Sequence, residues 1–521
     1  MFFYFITTVI VLCYLFKYYI VHYHYNYWKN KNIYSFKTNF PWGNAYDLLN
    51  MKQSFSEAYT EKYFQIKAAR QKEGGFFFLL TPQYIPVDLE IIKNILLKDF
   101  NYFTDRGVYY NERDDPLSAH LFTMEGNRWK MLRAKLSPTF TTSKMKMMFP
   151  IMSDVAVKLR DALGTIKNDQ GVDIKDMLVR YTTDIIGTCA FGIECNSFKD
   201  PEADFILFGK RIFIESNTRK IINFFTFVFP DFMRSLGVRQ LPKDVTDFFM
   251  KVIRDTVTYR EKEKVSRNDF LDLLIQLKNN GKLNADNGQH SDQEKESLPE
   301  YENSPNLTIE QIAGQSFVFF LAGFETSSST LSFCLYELAC NEDVQTKLRD
   351  EIERVLQKYN GELCYEAIAE LKYMDMVLSE TLRKYPSVPV LNRICTMDYK
   401  IPQTNLLLEK NTQVIISIDG LHYDPQYYHD PQKFDPERFS DENRSKIPQF
   451  AYLPFGEGPR TCVGMRFGML TMKIALTFIL KDFTFRLSSR TKVPLELDKR
   501  KFLKTVVDGI WLNVSKNERL L

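Results

Sequence analysis

One cysteine near the end of this 521-residue chain lies in a stretch whose residue types favour cofactor chemistry. Phe455, Gly456 and Gly458 lead into Cys462, and the largely apolar run 469–480 predicts a helix after it. The glycines allow backbone geometries that residues with a Cβ resist, and N–H groups at a helix N-terminus stabilise a sulfur anion. Because no second Cys or His lies nearby in the sequence, a tetrahedral zinc site is disfavoured. A lone thiolate that faces a flat cofactor is the better interpretation.

This loop resembles the haem-binding loop of the cytochrome P450 haem-thiolate monooxygenases. Each fixed position of the family pattern F-x-x-G-x-R-x-C-x-G is matched, by Phe455, Gly458, Arg460, Cys462 and Gly464. The alternative for Cys462 alone is a buried, inert cysteine, because free cysteine usually packs as a small hydrophobe. Five matches at fixed spacing argue against it. The resemblance implies haem b as the cofactor, Cys462 as the axial thiolate ligand of its iron, and Phe455, Arg460 and Gly464 as haem-binding residues.

A second set of unusual residues lies in the apolar segment 308–340, which predicts a long helix. Gly323, Glu325 and Thr326 are costly there, since glycine costs about 1 kcal/mol relative to alanine and an ionised carboxylate resists burial. The segment 322–326 resembles the family motif A/G-G-x-D/E-T. The resemblance implies that Thr326 hydrogen-bonds bound oxygen or an ordered water, that Glu325 takes part in proton supply, and that the small residues leave room for dioxygen. The alternative is a threonine that bonds only to its own helix backbone.

Side chains that suit the carboxylates of haem lie elsewhere in the chain. Trp129 and Arg133 are four residues apart, so an indole N–H and a guanidinium share one helix face. Alone, such a pair is more often surface packing. The resemblance implies that both bind a haem propionate, with Arg393 and Arg460 as further propionate partners.

Glu380 and Arg383 are three residues apart on the helix predicted over 373–385, where they can pair. An isolated pair of this kind is usually a solvated surface contact worth about 0–1 kcal/mol. In the resembled family a later arginine folds back onto the pair, and Arg438 occupies that position here. The resemblance therefore implies a buried structural network that braces the haem loop and takes no part in the chemistry.

A set of mostly apolar residues is predicted to line a substrate pocket: Leu121, Phe122, Val318, Ala322, Val388, Val390 and Val506. Six phenylalanines either line a lipophilic entrance or pack in the core, and the sequence leaves both open: Phe205, Phe208, Phe213, Phe224, Phe225 and Phe227. These residues indicate a lipophilic substrate without identifying it. The stretches 114–122 and 385–393 resemble the microsomal, xenobiotic-handling insect branch of the family.

The N-terminus predicts a membrane anchor. Residues 2–21 are apolar except for Thr7, Thr8 and Lys17, and match the ~20 residues that a spanning helix needs. Four aromatic residues that suit a membrane interface follow the span: Tyr23, Tyr25, Tyr27 and Trp28. No small-residue cleavage site is present, which disfavours a cleaved signal peptide.

Charge around the span predicts its orientation. Lysines follow the span and neither Lys nor Arg precedes it, so the positive-inside rule places the body in the cytosol. We therefore predict an anchor and interface belt over 1–28, a linker over 29–45 and a haem-thiolate catalytic domain over 46–521. The expected location is the endoplasmic reticulum membrane, with the lipid bilayer as a partner.

Composition supports a large body. Hydrophobic residues make up 45% of the chain, and the net charge of +3 is too small to argue for a nucleic acid partner. Eight scattered cysteines indicate reduced thiols. Helical spacing and short strand candidates predict a mainly α fold with small β-sheets (α+β), the cytochrome P450 fold, after one transmembrane helix. The predicted helices include 47–72, 88–100 and 342–357, the predicted strands 76–80, 84–87 and 387–391, and the predicted flexible connection 284–306.

The resemblance implies a monooxygenase that inserts one oxygen atom from O2 into a lipophilic small molecule: a xenobiotic, plant toxin or insecticide, or an endogenous hormone or lipid. Because the chain contains no dinucleotide fingerprint or flavin domain, electrons must come from another protein, and the resemblance implies NADPH–cytochrome P450 reductase as that partner, with cytochrome b5 as a further candidate partner. Lys130 and Lys135 are candidate docking charges, although each also fits an ordinary solvated face. A haem-thiolate isomerase or dehydratase is one alternative, and a non-catalytic haem carrier or sensor is another.

Overall fold

The structure is a computed structural model that describes residues 1–166, 171–200, 202–213, 216–267, 269–281, 283, 306–402 and 404–517. Its α-helices, in chain order, are α1 (Phe2–His22), α2 (Tyr27–Asn30), α3 (Tyr46–Leu49), α4 (Phe55–Ala68), α5 (Leu89–Lys93), α6 (Gly126–Leu136), α7 (Thr142–Gly164), α8 (Ile174–Ile186), α9 (Asp204–Ile212), α10 (Asn217–Val228), α11 (Pro230–Ser235), α12 (Lys243–Glu263), α13 (Phe270–Asn280), α14 (Ile309–Cys340), α15 (Glu342–Lys358), α16 (Tyr365–Glu370), α17 (Lys372–Lys384), α18 (Ile418–His422), α19 (Asp441–Arg444) and α20 (Met465–Asp482).

Short strands form three small sheets in the described part of the chain. The strands are β1 (Glu73–Phe78), β2 (Thr81–Pro86), β3 (Val172–Asp173), β4 (Val390–Ile394), β5 (Tyr399–Lys400), β6 (Leu407–Leu408), β7 (Gln413–Ser417), β8 (Phe483–Leu487) and β9 (Trp511–Lys516). The largest sheet has the order β1-β2-β7-β4, in which only β2 and β7 run parallel. The others have the orders β3-β9-β8 and β5-β6 and are antiparallel. The predicted mainly α fold with small β-sheets is confirmed.

Helix α14 is the element around which the other helices pack. It begins with a capping box, in which Oγ1 of Thr308 accepts from the Gln311 N–H at 3.2 Å and Oε1 of Gln311 accepts from the Thr308 N–H at 3.1 Å. Such a box satisfies two N–H groups that a helix start leaves without partners. Helices α8, α12, α17 and α20 all contact α14. It therefore carries Val318, Ala322 and Thr326 through the interior of the body.

Among the described residues, two helical stretches are long and apolar enough to cross a membrane by length and composition, Phe2–Asn30 and Ile309–Cys340. The most apolar window of the second is 67% buried inside the protein, whereas that of the first is only 6% buried. The second, α14, is therefore a core helix. The first leaves its apolar side chains outside the fold, which is compatible with a membrane anchor.

The residues just after α1 belong to the body, which corrects the predicted interface belt. Tyr25 and Trp28 are buried, and Nε1 of Trp28 donates to the carbonyl of Phe76 at 3.2 Å. Gly75 lies so close to the indole that an added Cβ would overlap it. Assigning Tyr25 and Trp28 to the membrane interface is wrong, because their amphipathic rings find an apolar body and polar partners in the protein. Tyr23 remains 61% exposed.

Residues 29–45, predicted as a linker, are also docked on the first sheet. Ser35 pairs with Gly75 of β1, and Gly43 pairs with Phe78 of the same strand. Gly43 has φ +63°, and an added Cβ there would lie 2.5 Å from the carbonyl oxygens of Leu79 and Phe77. The chain from residue 23 onward is therefore continuous with the body.

This docking predicts that the end point of an N-terminal deletion decides stability. Deleting residues 1–22 should leave the unfolding midpoint of the body unchanged, because α1 is largely exposed. Deleting residues 1–28 also removes Trp28, and loss of a buried tryptophan typically costs about 3–5 kcal/mol. Chemical denaturation of both proteins measures the difference, with Tyr23→Ala in the full chain as an exposed-aromatic control. Equal midpoints for the two deletions would contradict the docking.

Several predicted elements differ from the structure in their bounds. The helix predicted over 47–72 is divided into α3 and α4, because Met51 has φ +57° and Ser54 starts a new helix with a Glu57 capping box. The helix predicted over 88–100 ends at Lys93 and continues as a π turn, Asn94–Lys98. The strand predicted over 387–391 is displaced to β4. The connection predicted over 284–306 lies outside the described residues except for Asn306.

The six phenylalanines divide between the two open interpretations. Phe205 is buried in the core, and Phe208 stacks on Phe248 with ring centroids 4.2 Å apart. Phe213 stacks on Phe324 of α14. The others lie on α10, where Phe224 and Phe227 are half-buried and Phe225 is exposed. The rings before residue 214 therefore serve packing, and α10 keeps an exposed aromatic face.

Candidate functional site

The cysteine loop is held by glycine geometry and by backbone hydrogen bonds. Gly456 and Gly458 have φ +70° and +75°, which L side chains rarely adopt. A Cβ added at Gly458 would also collide with the carbonyl oxygen of Leu96. The N–H of Cys462 donates to the carbonyl of Phe455 at 2.9 Å, which closes the loop. These constraints fix the position of the sulfur just before α20.

The Cys462 side chain is accessible to solvent and is also surrounded by protein atoms. It is exposed by surface area and unpaired, yet burial raises the pKa of its thiol. The Gly464 N–H and the positive charges of Arg133 and Arg106 oppose this rise. The sulfur therefore lies at an internal opening that protein atoms surround, which is called the cleft below. The helix N-terminus alone does not make it a thiolate, whereas a coordinated metal deprotonates a thiol outright.

Helix α14 packs on α20, the helix that follows Cys462, and also borders an open space. Gly468, in the first turns of α20, lies against α14, since an added Cβ would meet Oγ of Ser327 at 3.8 Å. Ala322 is exposed although most of α14 is buried, so the helix borders an open space there. Oγ1 of Thr326 donates to the Ala322 carbonyl at 2.6 Å. This is the local backbone bond that the sequence left open, and it leaves the oxygen lone pairs of Thr326 free to accept.

Gly323 has a different surrounding from the one that the motif implies. It faces α8, where an added Cβ would lie 2.5 Å from Cδ1 of Ile186. Its small size therefore permits close packing of α8 on α14. Ala322 is the small residue that borders the cleft.

Glu325 is held in an ion pair that the sequence did not indicate. Nζ of Lys175, on α8, donates to Oε1 of Glu325 at 2.7 Å, and Oγ of Ser329 donates to the same oxygen at 3.1 Å. Burial lowers the pKa of Lys175, and the Glu325 charge opposes that shift. No local pattern marks Lys175, because the contact joins residues 150 positions apart.

Four arginines gather near Cys462. Nη1 of Arg133 donates to the carbonyl of Thr461 at 2.9 Å, beside the cysteine. Arg460 is buried and Arg106 donates from Nη2 to its carbonyl at 3.0 Å. Arg393 of β4 is buried and donates from Nη1 to its neighbour Asn392, while its Nε has no hydrogen-bond partner. The sequence missed Arg106, which lies in an irregular loop without periodicity.

Burial and mutual repulsion make this arginine cluster electrostatically costly. Burial lowers the pKa of Arg393 to about 10, and burial together with repulsion from Arg393 lowers the pKa of Arg460 to about 9. The same causes lower the pKa of Arg106. Of the described carboxylates, only Asp105 lies within 4.0 Å of the cluster, 3.9 Å from Nη2 of Arg460. The cluster therefore suits a ligand that carries more than one negative charge.

Trp129 lies beside this cluster, with its ring 3.9 Å below the Arg460 guanidinium. The indole is buried and also contacts Phe100. Arg460 is otherwise fixed by backbone carbonyls, at 2.8 Å from Thr104 and 2.7 Å from Met124. The Trp129 ring therefore positions Arg460. This role is additional to the donor role that the sequence predicts for Trp129.

The observed donors fit haem. An accessible single thiol suits an iron ligand, and the cationic cluster suits the propionates of haem. The unpartnered Nε of the buried Arg393 supplies a specific donor that lacks an acceptor within the protein. Among the described residues, no group of three or more His, Cys, Asp and Glu side chains has the arrangement of a metal site.

The predicted network of Glu380, Arg383 and Arg438 is brought together. Arg383 donates from Nε and Nη2 to the two oxygens of Glu380 at 2.7 and 2.8 Å, and both side chains are fully buried. Nε of Arg438 lies 3.4 Å from Oε1 of Glu380 without hydrogen-bond geometry. Arg438 instead donates to the carbonyls of His429 at 2.5 Å and Asp430 at 2.7 Å. It therefore closes the network mainly through the backbone.

His422 connects this network to the cysteine loop, and no motif in the sequence indicates this role. Its Nε2 accepts from the N–H of Leu453 at 2.9 Å, which leaves Nδ1 to donate to the carbonyl of Arg383 at 3.0 Å. Burial and the nearby Arg383 charge lower the pKa of His422 to about 3, so the imidazole stays neutral. Its ring also stacks on Tyr452. His422 thus ties Arg383, near the C-terminal end of α17, to Leu453, which lies two residues before Phe455.

The predicted pocket residues lie in four parts of the chain. Val318 and Ala322 share a face of α14, and Val390 begins β4. Leu121 is buried and its N–H donates to Oε1 of Gln315 on α14 at 3.0 Å. Phe122 lies under the Arg106 guanidinium at 4.2 Å, Val388 is half-buried, and Val506 pairs with Leu497. Phe122 therefore borders the arginine cluster.

Known proteins are similar to this chain over most of its length. The family model described as Cytochrome P450 matches residues 41–512. "Probable cytochrome P450 6a14" of Drosophila melanogaster is 43% identical over 499 residues, which cover 94% of this chain and 96% of the relative. "Cytochrome P450 6k1" of Blattella germanica is 41% identical over 512 residues, which cover 98% and 96%. "Cytochrome P450 6a2" of Drosophila melanogaster is 40% identical over 509 residues, which cover 96% and 97%.

Proposed function

This chain belongs to the cytochrome P450 family and is a P450 monooxygenase, and from that premise we propose that it is a membrane-anchored enzyme that inserts one oxygen atom from O2 into a lipophilic small molecule. The observation that carries the proposal is the internal cleft in which an accessible Cys462 thiol lies beside the arginine cluster and the exposed Ala322 turn of α14. Electrons are expected to come from NADPH through a partner reductase.

Haem b would be held by residues from four parts of the chain. Cys462 would hold the iron through its sulfur, and Arg133, Arg393, Arg460 and Arg106 would bind the propionates, which would supply the missing counter-charge. Bound haem supplies the activation of dioxygen and the transfer of its oxygen atom. The protein residues bind and orient that group, exclude water and move protons.

Thr326 and Glu325 are proposed as the proton-handling residues. Oγ1 of Thr326 donates its hydrogen bond to the Ala322 carbonyl, so its lone pairs can accept from an ordered water at the cleft. Pairing with Lys175 keeps the Glu325 carboxylate close to the next turn of α14. A carboxylate one residue before the hydroxyl can pass a proton inward when the ion pair opens. These two residues disfavour an isomerase or dehydratase.

We propose that α1 anchors the protein in the endoplasmic reticulum membrane and that the body faces the cytosol. The exposed apolar side chains of α1 support the membrane anchor, as do the exposed Ile221, Phe225 and Phe229 on or beside α10, which suit a second contact with lipid. NADPH–cytochrome P450 reductase is the proposed electron donor, with cytochrome b5 as a further partner. Lys130 and Lys135 on α6, the helix that carries Arg133, support docking near the cysteine loop.

The role of Thr326 is tested by measuring how electrons are used. Thr326→Ala should retain haem and NADPH consumption with reductase, while the share of electrons recovered as hydrogen peroxide rises and product falls. The reason is that proton delivery depends on a positioned hydroxyl. Thr326→Ser keeps a hydroxyl and should be milder. NADPH, peroxide and product are measured together, with a fluorogenic alkoxycoumarin as the lipophilic probe.

Thr330 provides a matched control for this experiment. Its Oγ1 bonds to the Thr326 carbonyl at 2.9 Å, so Thr330→Ala removes the same kind of local bond one turn away. We expect its electron use to match the wild type. Unchanged peroxide yield in Thr326→Ala would remove Thr326 from the mechanism, and turnover without dioxygen or NADPH would remove the monooxygenase function.

A further inference from the structure

The N-terminal part of α14 carries a buried amide on the helix face that leads to the cleft. Gln315 is fully buried, and Val318 and Ala322 follow on the same face, one and two turns later. Both of these residues are predicted to line the substrate pocket, and Ala322 borders the open space of the cleft. One polar side chain therefore precedes an apolar stripe that ends at Thr326.

Within the described part of the chain, only one end of the Gln315 amide has a partner. Its Oε1 accepts from the N–H of Leu121 at 3.0 Å, a bond that joins α14 to the loop before α6 across 194 residues. Its Nε2 has no hydrogen-bond partner. A backbone N–H can only donate, so the Leu121 bond identifies which end of the amide is the oxygen. The free end is therefore the N–H2 group.

A free N–H2 group in this position is unusual for the protein. Among the described residues, Nε2 of Gln315 is the only side-chain amide nitrogen that is buried without a partner. The buried Gln345, by contrast, donates from Nε2 to the carbonyls of Leu338 at 3.0 Å and Phe485 at 2.9 Å. A buried donor without a partner has lost its hydrogen bonds to water and gained none in return. Residues that break local rules in this way are often functional.

The chemistry of the free group defines the ligand that it suits. An amide N–H2 donates and carries no charge, so it suits a neutral oxygen acceptor such as a carbonyl, lactone or ether. Gln315 and Ala322 are seven residues apart, which corresponds to roughly 10 Å along the helix. A ligand that reaches from one to the other carries its acceptor at one end and its reacting carbon near the opposite end. Its middle lies along the apolar Val318.

We propose that Gln315 is a specificity-determining residue that selects lipophilic substrates with a neutral hydrogen-bond acceptor at the end opposite to the oxidised carbon. Nε2 donates to that acceptor, while Oε1 stays bonded to Leu121 and keeps the amide in one orientation. This inference rests on the proposed function, because it takes the cleft beside Cys462 as the substrate site. It adds a polar requirement to the lipophilic substrate class.

The test compares two ligands of similar shape on full-length holoprotein. 7-Ethoxycoumarin has a lactone carbonyl at the end of its fused rings opposite to the ethoxy group, and 2-ethoxynaphthalene has two fused rings and the ethoxy group without the carbonyl. Titration followed by the shift of the Soret band gives a dissociation constant for each ligand. The change in the ratio of the two constants between wild type and variant isolates the contribution of the carbonyl.

Gln315→Met keeps an unbranched side chain of similar length and removes the donor. One hydrogen bond of ordinary net strength corresponds to about a tenfold change in affinity. Gln315→Met should therefore weaken binding of 7-ethoxycoumarin about tenfold relative to 2-ethoxynaphthalene. The Leu121 N–H also loses its partner, but loosening of that loop affects both ligands and cancels in the ratio. Gln315→Leu should change the ratio equally and serves where Gln315→Met fails to fold.

A second readout detects the hydrogen bond itself. Infrared difference spectra of bound 7-ethoxycoumarin with an isotope-labelled carbonyl should show a lower carbonyl stretching frequency in the wild type than in Gln315→Met. Ser316→Ala is the matched control, because Ser316 is also fully buried on α14 and its Oγ also has no hydrogen-bond partner among the described residues. It lies on a different face of the helix. Its ratio and carbonyl frequency should equal those of the wild type.

An unchanged ratio and carbonyl frequency in Gln315→Met would overturn the proposal, and so would an equal change in Ser316→Ala. Wild-type holoprotein that does not bind 7-ethoxycoumarin would overturn it as well. Failure of the proposed function has a different signature. In that case the wild type itself would lack the carbon monoxide band of thiolate-ligated haem.

Discussion

Reduced protein that carries Cys462→Ser is expected to lose the carbon monoxide absorption band that is diagnostic of thiolate-ligated haem. The loop supplies one sulfur, and the described residues contain no group of three or more His, Cys, Asp and Glu side chains that could hold a metal ion instead. A serine hydroxyl does not deprotonate as a coordinating thiol does, so it cannot replace the anionic ligand. The band should be complete in the wild type and absent in the variant. The spectrum of the reduced protein with carbon monoxide minus that of the reduced protein without it measures the band directly.

Cys340→Ser is the matched control for this experiment. Cys340 is also exposed and unpaired, but it lies at the C-terminal end of α14. Its substitution should leave the band unchanged. Retention of the band in Cys462→Ser would show that another residue ligates the iron. Haem content by the pyridine haemochrome assay separates loss of ligation from loss of haem.

Replacement of Arg383 by alanine is expected to prevent accumulation of haem-loaded, soluble protein. The substitution leaves the fully buried Glu380 carboxylate without its two bonds to Arg383, at 2.7 and 2.8 Å. Breaking a buried pair by removing one partner typically costs about 3–5 kcal/mol, a large part of the usual stability of a folded domain. The loss should spread to the cysteine loop, because His422 joins the Arg383 carbonyl to Leu453.

Two variants define the meaning of that result. Arg383→Lys keeps the charge but not the planar fork that binds both oxygens of Glu380, so it should retain part of the haem-loaded protein. Arg486→Ala breaks an exposed pair with Glu342, worth about 0–1 kcal/mol, and should resemble the wild type. Normal yield and turnover of Arg383→Ala would show that the pair does not support the fold. Denaturant midpoints and haem content are the measurements.

Elements with strong local signals were predictable from the sequence. The long apolar run with Thr308 and Gln311 at its start predicted α14 almost to the residue, because a capping box and helical periodicity are local properties. Bounds were less predictable where backbone geometry intervened. The left-handed Met51 divides the helix predicted over 47–72, although methionine is a good helix former.

Contacts between distant segments could not be predicted in this way. Trp28 follows an apolar span and resembles an interface residue in sequence, yet it packs on β1, 48 residues away. Lys175 pairs with Glu325 across 150 residues. Neither position has a periodic neighbour that marks it. Burial and pairing of such residues depend on which elements pack together, and sequence spacing does not specify that packing.

The sequence by itself determined the family, and it predicts the cysteine that would ligate haem and the acid–alcohol pair, because these reside in short motifs whose spacing is fixed by one loop or one helix turn. The tertiary structure alone decided that Arg106 joins three other arginines, that His422 ties the Glu380–Arg383 network to the cysteine loop, and that Gln315 of α14 accepts from the Leu121 N–H. The physical reason is the same in each case. These side chains act through buried charge and hydrogen bonds between segments more than 30 residues apart, and only the folded chain brings those atoms within 3.0 Å.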